Sequence, residues 1–155
     1  MPARRYIKPS WSTHVLNAVF AALARFGISV YGSRMLAVRG RKSGQWRTTP
    51  VNLMIFEGAQ YLVAPRGETE WVRNLRVAKT GELRLGARVE SFSAEELRDS
   101  DKPPLLRAYL KKWAFEVKMF FDGVGAEASD AELLRIAPNH PVFRIEIGGS
   151  AAKVE

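Results

Sequence analysis

The chain contains no cysteine. Disulfides, thiolate zinc sites and cysteine nucleophiles are therefore excluded, and a reducing cytoplasm is permitted. Histidine is nearly absent too: His14 and His140 stand far apart and form no ligand cluster with carboxylates, which argues against a metal site. A membrane-spanning run is missing, because the apolar stretch at 15–24 is interrupted by Asn17 and falls well short of the ~20 residues a span requires. It also lacks a small-residue cleavage pattern before Arg25, so it reads as mature chain and not as a signal peptide. No G-x-S-x-G elbow occurs, so Ser43 is not a candidate for acyl transfer.

The most informative deficit is of acidic residues at one end. The first acid is Glu57, while residues 1–50 hold nine Lys and Arg. The rest of the chain carries 15 basic and 16 acidic side chains, so the net charge of +8 belongs to the N-terminal third. That is a local anion-attracting surface and not a uniformly basic protein. Nucleic acid, an anionic membrane face and a phosphorylated cofactor all fit it.

What is present describes an ordinary globular chain of 155 residues, 46% apolar and 26% charged, most simply one domain. Residues 10–26 show helical spacing of Trp11, Val15, Ala18, Val19, Ala22, Leu23 and Phe26, with Gly27 as a cap. This helix is apolar around most of its circumference, and it either packs on the domain or rests on a membrane surface. Strands are expected at 34–39, 46–56, 60–65, 82–85, 88–93 and 142–147, joined mostly by short Gly-containing turns. Helices are expected at 69–79 with Thr69 as N-cap, at 102–121 along an aromatic stripe, and at 129–137 behind a Ser129/Glu132 capping box. The aromatic stripe reads as core along most of its length, its exposed edge lining an apolar pocket. Glu95 and Glu96 after Ser93 read as a further helix start. Six short strands with late helices suggest an α+β chain built on a small antiparallel barrel.

Two segments carry chemistry. Residues 36–51, LAVRGRKSGQWRTTPV, set Arg39, Arg41, Lys42 and Arg47 around two glycines without one acid. The spacing is not that of a P-loop, but glycine amides, the Ser43 hydroxyl and the cations are the parts of a phosphate cradle. Arg47, Thr48 and Thr49 would continue that surface down the strand. The plain alternative is a solvated basic hairpin. The second segment, APRGETEWVRNLR at 64–76, leads a Gly-containing loop into a helix start, where free amides favour an anion. Trp71 alone is better read as core than as a stacking ring. Arg73 and Arg76 lie three apart and share a helix face.

The order GRKSGQ-W-R-TTPV, then YLVAPRGETEWVRNLR, then HPVFRIE closely resembles the deazaflavin (coenzyme F420)-dependent nitroreductase and quinone reductase family of actinobacteria. The likeness runs from about residue 36 to residue 147. It implies an FMN-binding-like split β-barrel at 31–149, behind a basic segment at 1–30 and ahead of a tail at 150–155. It implies that Arg41, Lys42, Ser43, Gly44, Gln45 and Arg47 hold the phosphodiester and tail carboxylates of F420. It sets Pro50, Trp71 and Asn74 near the ring and its linker, with Arg66 and Arg76 as further anion partners. The expected reaction is hydride transfer to an electron-poor substrate: a quinone, an enone or a nitro compound. Tyr109 and Tyr31 are weak candidates for a hydrogen bond to the acceptor oxygen. The C-terminal tyrosine cluster of nitro-reducing relatives is absent, which argues against nitro reduction, and lipophilic, quinone-like substrates would suit the apolar N-terminal helix and the aromatic stripe. A cytoplasmic protein with peripheral membrane contact through the N-terminal helix is expected, and a homodimer is compatible with the fold. The alternatives are FMN as cofactor, a non-catalytic deazaflavin binder, and nucleic-acid binding, for which the turn offers only Trp46 as a stacking aromatic.

Overall fold

A computed structural model of the chain describes residues 33–117, 120–121 and 123–148. The expected helix at 10–26, Tyr31 and the proposed segments at 1–30 and 150–155 lie outside the described residues.

Six strands form a closed barrel: β1 (Ser33–Arg39), β2 (Trp46–Phe56), β3 (Ala59–Val63), β4 (Thr80–Leu85), β5 (Arg88–Glu96) and β6 (Val142–Ile147). Their order around the barrel is β1-β2-β3-β6-β5-β4, and every pairing, including the closing β1–β4 contact, is antiparallel. Closure leaves no sheet edge exposed. The expected small antiparallel barrel is the observed one.

Side chains alternate across each strand, and the register sorts them. Leu36 and Val38 of β1, Leu53 of β2, Leu62 of β3, Leu83 of β4, Phe92 of β5, and Phe143 and Ile145 of β6 fill the interior. Helix α1 (Glu70–Ala78) closes one end of the barrel with Val72 and Leu75, and Trp71 and Ala78 pack beside them. Thr69 caps it as expected, its Oγ1 accepting from the Val72 amide, and Lys79 ends it in the left-handed region at φ 61°.

A second core lies outside the barrel. Met54, Val63 and Val142 present outward side chains to helix α2 (Pro103–Val117) and helix α3 (Asp130–Ile136), with Leu106, Tyr109, Trp113, Phe121 and Ile136 between them. The expected helix at 102–121 is shorter: Trp113 departs from helical dihedrals, and Phe120 and Phe121 lie beyond the helix in the same apolar cluster. Ser129 caps α3 by accepting from the Glu132 amide. One expectation fails outright. Glu95 and Glu96 do not start a helix but end β5, where Glu96 pairs with Phe143 in the ladder. Strand pairing with β6 outweighed the local capping pattern.

Candidate functional site

The basic turn between β1 and β2 and the start of α1 meet at one end of the barrel. Asn74, buried in α1, joins them: its Oδ1 accepts from the Arg41 amide at 3.1 Å and from Arg41 Nη1 at 2.9 Å. The same Nη1 donates to Glu70 Oε2 at 2.8 Å. Glu70 and Asn74 are four apart on the helix and so lie side by side. The two motifs, separate in sequence, are one feature in space.

The turn itself is self-satisfied. The Gly40 amide donates to the Gln45 carbonyl at 2.8 Å, and the Gly44 amide to the Gly40 carbonyl at 2.9 Å. The Gln45 amide donates to Ser43 Oγ at 3.2 Å. With the Arg41 amide held by Asn74, four of the turn's six amides are engaged, because a tight turn must pair its own backbone groups. The glycines therefore serve shape: a Cβ at Gly40 would stand 2.9 Å from Ser43 Oγ, and Gly44 takes φ +72°. The Gly40 and Gly44 amides are thus used inside the turn. The Lys42 and Ser43 amides and the Ser43 hydroxyl proton remain as donors.

The four cations divide into two pairs. Arg39 lies 4.2 Å over the Trp46 ring and donates to the Gly44 carbonyl at 3.1 Å. Arg41 is the tie to α1. Both hold the turn in place. Lys42 and Arg47 are exposed and, among the described residues, in no ion pair; exposed Arg73 on α1 is likewise in none. A hydrogen bond from Arg41 holds the Glu70 carboxyl below the ordinary carboxylate range; slight desolvation opposes it, and the charges of Arg41, Arg73 and Lys42 add to it.

β2 does not present one continuous surface. Arg47 opposes Val38 and Thr49 opposes Leu36, both interior residues, whereas Thr48 and Pro50 oppose Ala37 and Met35 on the other face. The period of two in a strand separates Arg47 and Thr49 from Thr48 and Pro50. Trp71 is half-buried, 6.0 Å from Phe143 and tilted against it, so its ring has both a core side and an open side.

Arg76 is held between carboxylates. It donates to both Glu68 oxygens at 2.9 and 3.2 Å and to both Glu96 oxygens at 2.7 Å. The bonds to Glu96, then those to Glu68, push its already high pKa further up. Arg66 lies 4.9 Å over the Phe120 ring, on the side of the second core. Tyr109 is 2% exposed, its ring 4.9 Å from Trp113 and 6.2 Å from Phe121. The sequence offers no role for Glu70 or Glu68, and it marks Glu96 only as part of a helix start. The i,i+4 spacing of Glu70 and Asn74 was the one available signal; the Glu96 contact joins separate elements and had none.

Among the described residues no helix is long and apolar enough to cross a membrane. The family model described as F420H(2)-dependent quinone reductase matches residues 17–119. No curated protein matches the chain. Among solved structures, an F420-H2 dependent reductase (FDR-A) is 18% identical over 74% of this chain and 94% of its own, at a TM-score of 0.53. A structure described as a domain-swapped dimer is 17% identical over 88% of this chain and 97% of its own, at 0.54. A protein of unknown function from Agrobacterium tumefaciens is 17% identical over 95% of this chain and 62% of its own, at 0.52. At such identities these likenesses concern the fold, and they agree on the barrel. With two thirds of its length matched by the family model, the chain belongs to the F420H(2)-dependent quinone reductase family, whose members are oxidoreductases.

Proposed function

We propose that this chain binds reduced F420 at the end of the barrel closed by α1 and reduces a quinone or a similarly electron-poor compound, such as an enone or nitro compound. The observation that carries the reading is the Arg41–Asn74 tie, which unites the GRKSGQ turn with the WVRNLR helix. Beside it, Lys42, Arg47 and Arg73 are left to face solvent. This donor set fits a cofactor with a phosphodiester and several carboxylates: separated cations, two turn amides and a hydroxyl suit a chain of anionic groups better than one compact phosphate.

In this reading Lys42, Arg47 and the Ser43 hydroxyl hold phosphate and tail carboxylates, and Arg73 adds charge from α1. Gly44 and Gln45 contribute the turn's shape and an exposed amide side chain. The half-buried Trp71 borders the ring, with Pro50 turned to the other face of β2 from Arg47, and the barrel closed by Val72 and Leu75 keeps water from one side of it. The bound cofactor supplies the hydride; the protein's work is orientation and exclusion of water. No nucleophile or metal is required of this chain.

FMN receives no support, since the matched family is F420H(2)-dependent. The similarity to a protein described as a domain-swapped dimer supports a homodimer as a further proposal. A peripheral membrane contact through residues 10–26 would bring the site near lipophilic quinones. The test is titration with oxidised F420 and separately with FMN, followed by cofactor fluorescence. Salt-sensitive binding of F420 alone is expected; preference for FMN overturns the reading.

A further inference from the structure

We infer that Glu70 is a built-in competitor for the basic turn, its carboxylate occupying the Arg41 guanidinium that a ligand anion would engage, and so sets how tightly the turn holds acidic ligands. The inference rests on the reading of the turn as an anion site. The turn carries no acid of its own, and Glu70 reaches it from another element, at the first position of α1. A helix start favours a negative charge there. From that position the carboxylate contacts Arg41 at 2.8 Å and feels the charges of Lys42 and Arg73 as well. Glu70 thus marks the spot where the local cations converge.

Two features make the carboxylate displaceable. Its side chain is 74% exposed, so the pair with Arg41 is one that solvent screens and a ligand can exchange. The turn is also anchored without it, because Asn74 binds both the Arg41 amide and its guanidinium. The other acids in ion pairs near this end, Glu68 and Glu96, are committed to Arg76. An incoming anion therefore meets one movable negative charge over a fixed cationic turn.

The test is Glu70→Gln in the full chain, which keeps the shape and an acceptor oxygen while removing the charge. Inorganic pyrophosphate is titrated against the protein, with the Ser43 and Gly44 amide signals followed by NMR. The variant is expected to bind about two- to five-fold tighter than the wild type, the scale of an exposed charge pair, with the gain shrinking as salt rises. Glu57→Gln, the same charge change in the turn at the other end of β2, should leave affinity unchanged; an equal gain there overturns the inference in favour of a net-charge effect. Equal or weaker binding by Glu70→Gln, while the wild type binds, overturns the inference and leaves the turn as an anion site. No binding by either protein overturns both. Slowed exchange of the Arg41 amide must persist in the variant, and its loss overturns the claim that Asn74 holds Arg41 without Glu70.

Discussion

Arg41 and Asn74, 33 residues apart in the chain, share a partly buried two-point contact in which one amide oxygen takes both the backbone and the side chain of the arginine. The contact converts a basic hairpin turn into a fixed part of the barrel end, while Lys42 and Arg47 stay exposed. Arg41 is thus a structural cation, tied to Asn74 and Glu70, whereas its neighbour Lys42 carries no structural duty in the described residues.

Asn74→Ala should free the turn. It removes an acceptor from two donors, one of them charged, and a loss of about 1–3 kcal/mol of stability is expected. Hydrogen exchange at the Arg41 amide should quicken together with the loss, whereas amides of the barrel ladder hold their protection relative to global unfolding. Unchanged exchange at Arg41 would show that the turn holds itself.

Lys42→Ala with Arg47→Ala should weaken F420 binding and flatten its dependence on salt, leaving the unfolding midpoint where it was. Charge-assisted contacts of this kind are worth about 1.5–3 kcal/mol each, and both side chains are exposed. Arg41→Ala should behave differently, lowering both affinity and stability. Equal effects from the two changes would contradict the division of the four cations.

The Glu70 carboxyl is held below its ordinary range, chiefly by the hydrogen bond from Arg41. A depressed folded-state value means that the contribution is present above the unfolded value and is lost as pH falls through the folded one. In Arg41→Ala the carboxyl should titrate higher, toward the ordinary range, as followed by the Glu70 side-chain carbon signal. A titration unmoved by the substitution would remove Arg41 as its cause.

Arg76→Gln should destabilise the end of the barrel where α1 meets β5, because it removes the guanidinium that bridges the nearly buried Glu68 and Glu96. Breaking a buried pair costs about 3–5 kcal/mol; with Arg76 35% exposed, roughly 1–3 kcal/mol is the discounted expectation. Chemical denaturation measures it. F420 affinity per folded molecule should change far less than in Lys42→Ala, since Arg76 is already held by two carboxylates.

Tyr109→Phe should alter stability and leave turnover intact. The ring is packed between Trp113 and Phe121 in the second core and is shielded from solvent. A large fall in kcat with an unchanged unfolding midpoint would restore Tyr109 as a candidate for the acceptor hydrogen bond.

The sequence by itself determined the strands, two of them (Trp46–Phe56 and Val142–Ile147) to the residue, because alternation and tight turns are local signals. It also marked the Thr69 and Ser129 caps and the concentration of positive charge. It could not place Glu96, since a local capping pattern and a strand end look alike until β6 supplies the partner. Nor could it tell which of the four cations hold the turn and which stay exposed. That depends on Asn74 and Trp46 reaching Arg41 and Arg39, and on the pleat of β2 turning Arg47 and Pro50 to opposite faces. Barrel closure decided it: pairing β1 with β4 and seating α1 in the barrel's end brings Glu70 and Asn74 against the turn, a proximity that no spacing along the chain encodes.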